Sequence, residues 1–192
     1  MTERGKKHTI AEWLALPPER RVELIDGTFV EKAAPDFPHG SAQTGVLLTL
    51  GAPFQRGQGG GGPGFGGWWF ATEVDVRLGD NGFRPDIAGW RRERMPERAT
   101  EHPVTLRPNW ICEVTSETNR TNDTIRKLRR YHEAGVPHYW VLDPVDFTLT
   151  VFRHESQGYL SVLFADRDQL VRAEPFEALE LRVGMLFGDD PS

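Results

Sequence analysis

Three residues in the middle of the chain have the types and the order to work on a phosphodiester: Asp86 in RPDIAGW, Glu113 in NWICEVTS and Lys127 in TIRKLRRY. Both carboxylates lie in segments that otherwise read as core, with Ile87 and Ala88 after the aspartate and Cys112 and Val114 flanking the glutamate. Burying a lone carboxylate is costly, so each is expected to be paired, protonated or bound to a cation. Two of them on adjacent strands place oxygens where one hard cation can sit. Mg²⁺ suits such a place because it takes one or two carboxylates and completes its shell with water and phosphate oxygens; Mn²⁺ accepts the same ligands. A lysine beside the cation orients an attacking water or stabilises charge developing on the phosphate. Together the parts suit metal-dependent phosphodiester hydrolysis.

Each residue taken alone has a plainer reading. Asp86 follows Pro85 and reads equally as a strand end or turn, Glu113 as the partner of an arginine, and Lys127 as a solvated residue of a basic helix. Their joint chemistry depends on the elements that would bring them together.

Thr9 followed by Glu12 is a capping-box pattern, predicting a short helix from Ile10 to Leu16 that stops at Pro17-Pro18. In VELIDGTFVEK, Asp26-Gly27 supplies the positive φ angles of a tight hairpin turn. After Pro38-His39, the segment SAQTGVLLTLGAPFQ carries the apolar residues for a second helix, and the glycine-rich stretch from Gly57 to Gly67 predicts a flexible loop. In WWFATEVDVRL, Val74, Val76 and Leu78 alternate with Glu73, Asp75 and Arg77, the period of a half-buried strand. RPDIAGW and NWICEVTS read as the next two strands. TNDTIRKLRRYHEAG follows as a helix, with Thr121 or Asn122 as cap and Gly135 as stop. Asp123, Lys127 and Tyr131 fall at i, i+4 and i+8, along one face of it. HYWVLDP, TLTVF and GYLSVLF predict further strands, and FEALELRVGMLF has no single assignment. The order is mixed α/β (α+β), with helices on a central sheet and a single domain spanning residues 1–192.

Bulk properties are consistent with this. A chain of 192 residues, 38% hydrophobic and 27% charged, is that of a soluble globular protein. No apolar run approaches the ~20 residues that a membrane helix needs, and MTERGKKHTIAEW has no signal-peptide pattern. The single cysteine, Cys112, precludes an internal disulfide framework. These features predict a cytoplasmic protein. The net charge of −5 argues against coating nucleic acid by charge alone. Positive charge is nevertheless clustered, at Arg91, Arg92, Arg94 and Arg98 and again at Arg120, Arg126, Lys127, Arg129 and Arg130.

VELIDGTFVE, FRPDIAGW and the long run NWICEVTSETNRTNDTIRKLRRYHEAGVPHYWVLDP resemble the Uma-type family of putative restriction endonucleases, a bacterial branch of the PD-(D/E)xK nuclease superfamily. The likeness runs from Val22 to Pro144 and implies a restriction-endonuclease-like core: a mixed central β-sheet flanked by helices, preceded by a helix and a β-hairpin. It implies metal binding by Asp86 and Glu113, helped by the backbone carbonyl of Val114, with Lys127 as the catalytic lysine moved onto the helix. Thr115 stands two residues after the glutamate, where most of the superfamily has its lysine, and Glu117 stands where a proline often follows. Glu23 matches an early glutamate of the family, either as part of the catalytic site or in a hairpin salt bridge. His39, Tyr131 and Arg126 are candidates for contacts to DNA or to the residues around the metal. The resemblance implies a DNA substrate, an Mg²⁺ or Mn²⁺ cofactor and a homodimer. The alternative is a nuclease-fold protein that no longer cuts and acts as a nucleic-acid-binding or assembly module.

Overall fold

A computed structural model describes residues 7–17, 19–55, 63–115 and 122–190, with the side chains of 122–124 left aside. Most of the glycine-rich stretch, the cap at Thr121 or Asn122, Asp123, Glu117 and Arg120 therefore lie outside the described residues.

The first helix, α1 (Ile10–Leu14), opens with the capping box: Thr9 accepts from the Glu12 N–H while Glu12 bonds back to the Thr9 N–H. It ends two residues earlier than the proline pair suggests. The hairpin β1 (Val22–Ile25) and β2 (Thr28–Glu31) turns at Asp26 and Gly27, with φ of 57° and 77°. Both positive angles are what a two-residue turn matched to strand twist needs.

The second helix, α2 (Phe37–Leu50), starts before Pro38-His39 and not after it. Asp36 caps it by accepting from the His39 N–H, and Pro38 falls within the first two helical positions, where a missing N–H costs nothing. Nor does α2 run on to Gln55 as one regular helix. It passes into a π-helical turn over Gly51–Gln55, where Pro53 cannot donate to the regular ladder.

The predicted strand through Val74 is in fact two. β3 (Trp68–Thr72) and β4 (Val76–Leu78) belong to different sheets, and the chain passes between them at Glu73, whose φ is 53°. Period-two alternation carries no information about which sheet a strand joins, and so hid the break. β4 forms a second hairpin with β5 (Asn81–Phe83), a segment to which the sequence pattern gave no strand.

The remaining strands are β6 (Ile87–Arg91), β7 (Trp110–Val114), β8 (His138–Asp143), β9 (Thr148–Glu155), β10 (Gly158–Ala165), β11 (Leu170–Val171) and β12 (Leu181–Arg182). A third helix, α3 (Asn122–Glu133), connects β7 to β8, the only parallel pair of the six-stranded sheet β10-β9-β8-β7-β6-β3. Gly135, at φ 73°, follows α3 as its stop. The hairpins form a four-stranded sheet β2-β1-β5-β4. The C-terminal run that had no assignment supplies β12 and a 3₁₀ turn, Val183–Phe187, packed against α2.

Alternation along β6 and β7 sorts the core onto the two faces of the large sheet. Ile87, Trp110, Cys112 and Val114 join Ala42, Val46 and Leu50 of α2 and the ring of Phe176. Ala88 and Ile111 join Tyr131, Tyr139, Phe83 and Ile25 on the opposite face. The architecture is α+β, two larger sheets and the small β11-β12 pair with few helices among the described residues.

Candidate active site

The antiparallel register of β6 and β7 sets Ile87 opposite Cys112. Continuing it by one residue brings Asp86 opposite Glu113 at the mouth of the pair. Both then lie on the face of Ala88 and Ile111, toward α3. Asp86 is 1% exposed and Glu113 8%. Asp86 is thus neither a solvated turn nor a strand end facing water.

Four different elements close on these two carboxylates. The Val114 N–H donates to Asp86 Oδ2 at 2.7 Å. His39 Nε2, in the first turn of α2, lies 3.1 Å from Asp86 Oδ1, and Gln43, one turn on, donates to the same oxygen at 3.3 Å. From α3, Lys127 Nζ donates to Glu113 Oε1 at 3.1 Å and lies 2.9 Å from Glu23 Oε2. Tyr131, one turn further, donates its hydroxyl to Glu113 Oε1 at 2.8 Å. The helical spacing of Lys127 and Tyr131 is therefore used in full. Tyr131 also packs, buried, against the rings of Phe83 and Tyr139. Glu23 arrives from β1 on the side of Ile25, with its other oxygen taking the Arg84 N–H at 2.9 Å.

Three polar residues that the sequence reading passed over complete the cluster. Lys32, just after β2, reaches Asp86 Oδ1 at 2.7 Å and Glu73 Oε2 at 3.1 Å, and donates to the Arg84 carbonyl at 2.5 Å. Gln43 also donates to Glu73 Oε1 at 3.2 Å. Glu73, at the point where the chain leaves β3, takes Arg21 as an ion-pair partner at 2.9 Å. The sequence held one signal for Lys32: alternation in the hairpin puts it on the side of Val30, which packs against the core face shared with Tyr131. Glu73 held a misleading one, as the polar half of a strand that does not exist.

Burial and charge act differently on the two central acids. Burial pushes the Glu113 carboxyl up to about 7; Lys127 opposes the shift, while Asp86 and Glu23 add to it. Burial would raise Asp86 as well, but the His39 hydrogen bond and the Lys32 ammonium overcome it and hold Asp86 well below the usual carboxylate range. Lys127 is raised despite its burial because it lies between Glu113 and Glu23. Both members of the Lys127–Glu113 pair move upward, for different reasons.

The donor set fits a hard divalent cation: two opposed carboxylates, of which Glu113 is buried at a cost that a cation would relieve. The Val114 carbonyl lies on the same edge of β7 as its N–H, toward Asp86, since the N–H and C=O of one strand residue face the same neighbour. Among the described residues, His39, Glu73 and Asp86 also bring a ligand atom each within 4.8 Å of one another.

Residues 10–184 match the family described as "Putative restriction endonuclease", Uma2. The chain belongs to the Uma2 family. Within the solved structures, a putative nuclease belonging to DUF820 from Anabaena variabilis is similar to it, with a TM-score of 0.75 and 23% identity over 93% of this chain and 97% of that one. At that identity the likeness is one of fold. A search of curated proteins finds no match.

Other residues read from the sequence stay outside the cluster. Arg126 sits exposed on α3. The first arginine cluster begins at the far end of β6, about 16 Å along the strand from Asp86. Two of its members hold loops together: Arg92 donates to the carbonyls of Trp68 and Gln55, and Arg94 to Arg107 and Asn109. In the second cluster, Arg129 and Arg130 pair with Glu133. Among the described residues, no helix is long and apolar enough to cross a membrane.

Proposed function

We propose that this protein is a metal-dependent endonuclease that hydrolyses DNA phosphodiester bonds, with Asp86, Glu113 and the Val114 carbonyl as the metal-holding set. The observation that carries this reading is the buried, cross-strand opposition of Asp86 and Glu113 with Lys127 bonded to Glu113. A bound Mg²⁺ or Mn²⁺ would supply Lewis-acid polarisation of the phosphate and a water of lowered pKa. The chain's own groups do the rest. Lys127, held between Glu113 and Glu23, presents a fixed positive charge where negative charge develops on the phosphate. Glu23, tied to the Arg84 N–H, holds that lysine in place. The Val114 N–H and His39 hold the two oxygens of Asp86, fixing its orientation by contacts from separate elements. Nucleases that cut both strands of a duplex commonly pair two such centres, which extends the reading to a pair of chains.

The test is Mn²⁺ titration calorimetry on the parent, Asp86→Ala and Glu113→Ala proteins at neutral pH, alongside cleavage of single- and double-stranded DNA. Binding and cleavage present in the parent and lost in both folded variants are expected. Cleavage by Asp86→Ala at the parent rate would remove the reading.

A further inference from the structure

Lys32 holds an unusual position. Its ammonium lies 2.7 Å from Asp86 Oδ1 and 3.1 Å from Glu73 Oε2, and its side chain is 10% exposed. It therefore stands against two of the three residues of the His39–Glu73–Asp86 group, the second place in the site where a divalent ion has suitable donors. The Arg84 carbonyl anchors it at 2.5 Å, and the hairpin register sets its backbone, with the Lys32 N–H bonded to the Arg21 carbonyl at 2.6 Å. These contacts come from backbone flanking two strands, Arg21 just before β1 and Arg84 just after β5. Many phosphodiesterases use two metal ions on opposite sides of the reacting phosphate. Here one of the two places is filled by a side chain.

We propose that Lys32 is the resident second cation of this site: its ammonium occupies the His39–Glu73–Asp86 place, so the centre takes one divalent ion, on the Glu113 side of Asp86. Its use in catalysis rests on the metal-dependent hydrolase reading; its occupancy of the second place does not. In that reaction the ammonium offers a phosphate oxygen the compensation that a second metal would give, as a point charge on a fixed stem.

The two claims separate in one experiment. Mn²⁺ stoichiometry is measured by calorimetry and by electron paramagnetic resonance counting of free ion, on the parent, Lys32→Met, and Lys32→Met with Glu73→Gln. One ion per chain is expected in the parent, two in Lys32→Met, and one again in the double variant. Lys32→Gln serves in the same role should the methionine variant fail to fold, as judged by circular dichroism. A parent that binds two ions overturns the proposal, as does a folded Lys32 variant that gains none. A parent that binds none beside a variant that binds one leaves Lys32 as the resident cation and overturns the Asp86–Glu113 metal centre instead.

Discussion

Tyr131 donates its hydroxyl to Glu113 Oε1 at 2.8 Å from the last turn of α3, and Lys127 donates to the same oxygen at 3.1 Å. One helix face thus grips one oxygen of a carboxylate that lies on the neighbouring strand.

Tyr131→Phe keeps the ring contacts with Phe83 and Tyr139 and removes only the hydroxyl. Leaving a buried carboxylate short of a donor costs about 1–3 kcal/mol, and urea denaturation should show a loss in that range. Tyr131→Ala also loses the ring and should cost about 3–5 kcal/mol. Equal losses for the two variants would mean that the hydroxyl carries nothing.

Lys127→Met takes the cation from between Glu23 and Glu113 and leaves two buried carboxylates facing each other. Removing one partner of a buried ion pair costs about 3–5 kcal/mol. Added Mn²⁺ should restore part of this, by about 2.7 kcal/mol at a hundredfold excess over its dissociation constant. A thermal melt with and without Mn²⁺ measures both effects. Cleavage should fall by about a hundredfold or more, the usual loss on removing a charge-stabilising donor.

Proton and metal should compete at Glu113. Its carboxyl is raised from 4.5 to about 7, chiefly by burial. The sign follows directly: in the metal-free protein this group favours the fold below pH 4.5, and that contribution is lost as the pH rises through about 7. Metal binding needs the carboxylate, so Mn²⁺ affinity should be flat above pH 7 and fall about tenfold per unit below it. Calorimetry in two buffers of different ionisation heat would report the released proton. Equal affinity at pH 5.5 and pH 8 would contradict the assignment of Glu113 as a ligand.

Two glycines of α2 should answer oppositely to alanine. A Cβ on Gly45 would lie 2.5 Å from the Leu186 carbonyl oxygen, where the C-terminal 3₁₀ turn docks, whereas Gly40 has open space. Helix propensity favours alanine at both by about 1 kcal/mol. At Gly45 the clash with fixed backbone, about 1–3 kcal/mol, outweighs it. Denaturation midpoints should therefore rise for Gly40→Ala and fall for Gly45→Ala.

Much of the fold was readable wherever the cause is local. Asp26-Gly27 makes its turn because both residues tolerate positive φ, and Thr9 with Glu12 caps α1 because their spacing matches the first helical turn. The order of β7, α3 and β8 follows from a change of period along one continuous run. Where local cues misled, a longer-range choice had overridden them. The start of α2 lies further back, at Phe37 behind the Asp36 cap, because a cap outweighs the nominal stop of a proline that the first turn accepts. The strand through Glu73 broke because its two halves pair in different sheets.

The candidate site divides in the same way. Residue types and helical spacing sufficed to single out Asp86, Glu113, Lys127 and Tyr131, since buried acids are costly and i, i+4 positions share a face. That Glu113 faces Asp86 was decided by the β6–β7 register, and that Glu23 joins them by the docking of the hairpin sheet. Lys32, Gln43 and Glu73 became part of the site only through contacts 30 to 54 residues apart in the chain. Such contacts leave no period in a sequence, because the distance between residues far apart along the chain is set by packing and strand register rather than by their spacing.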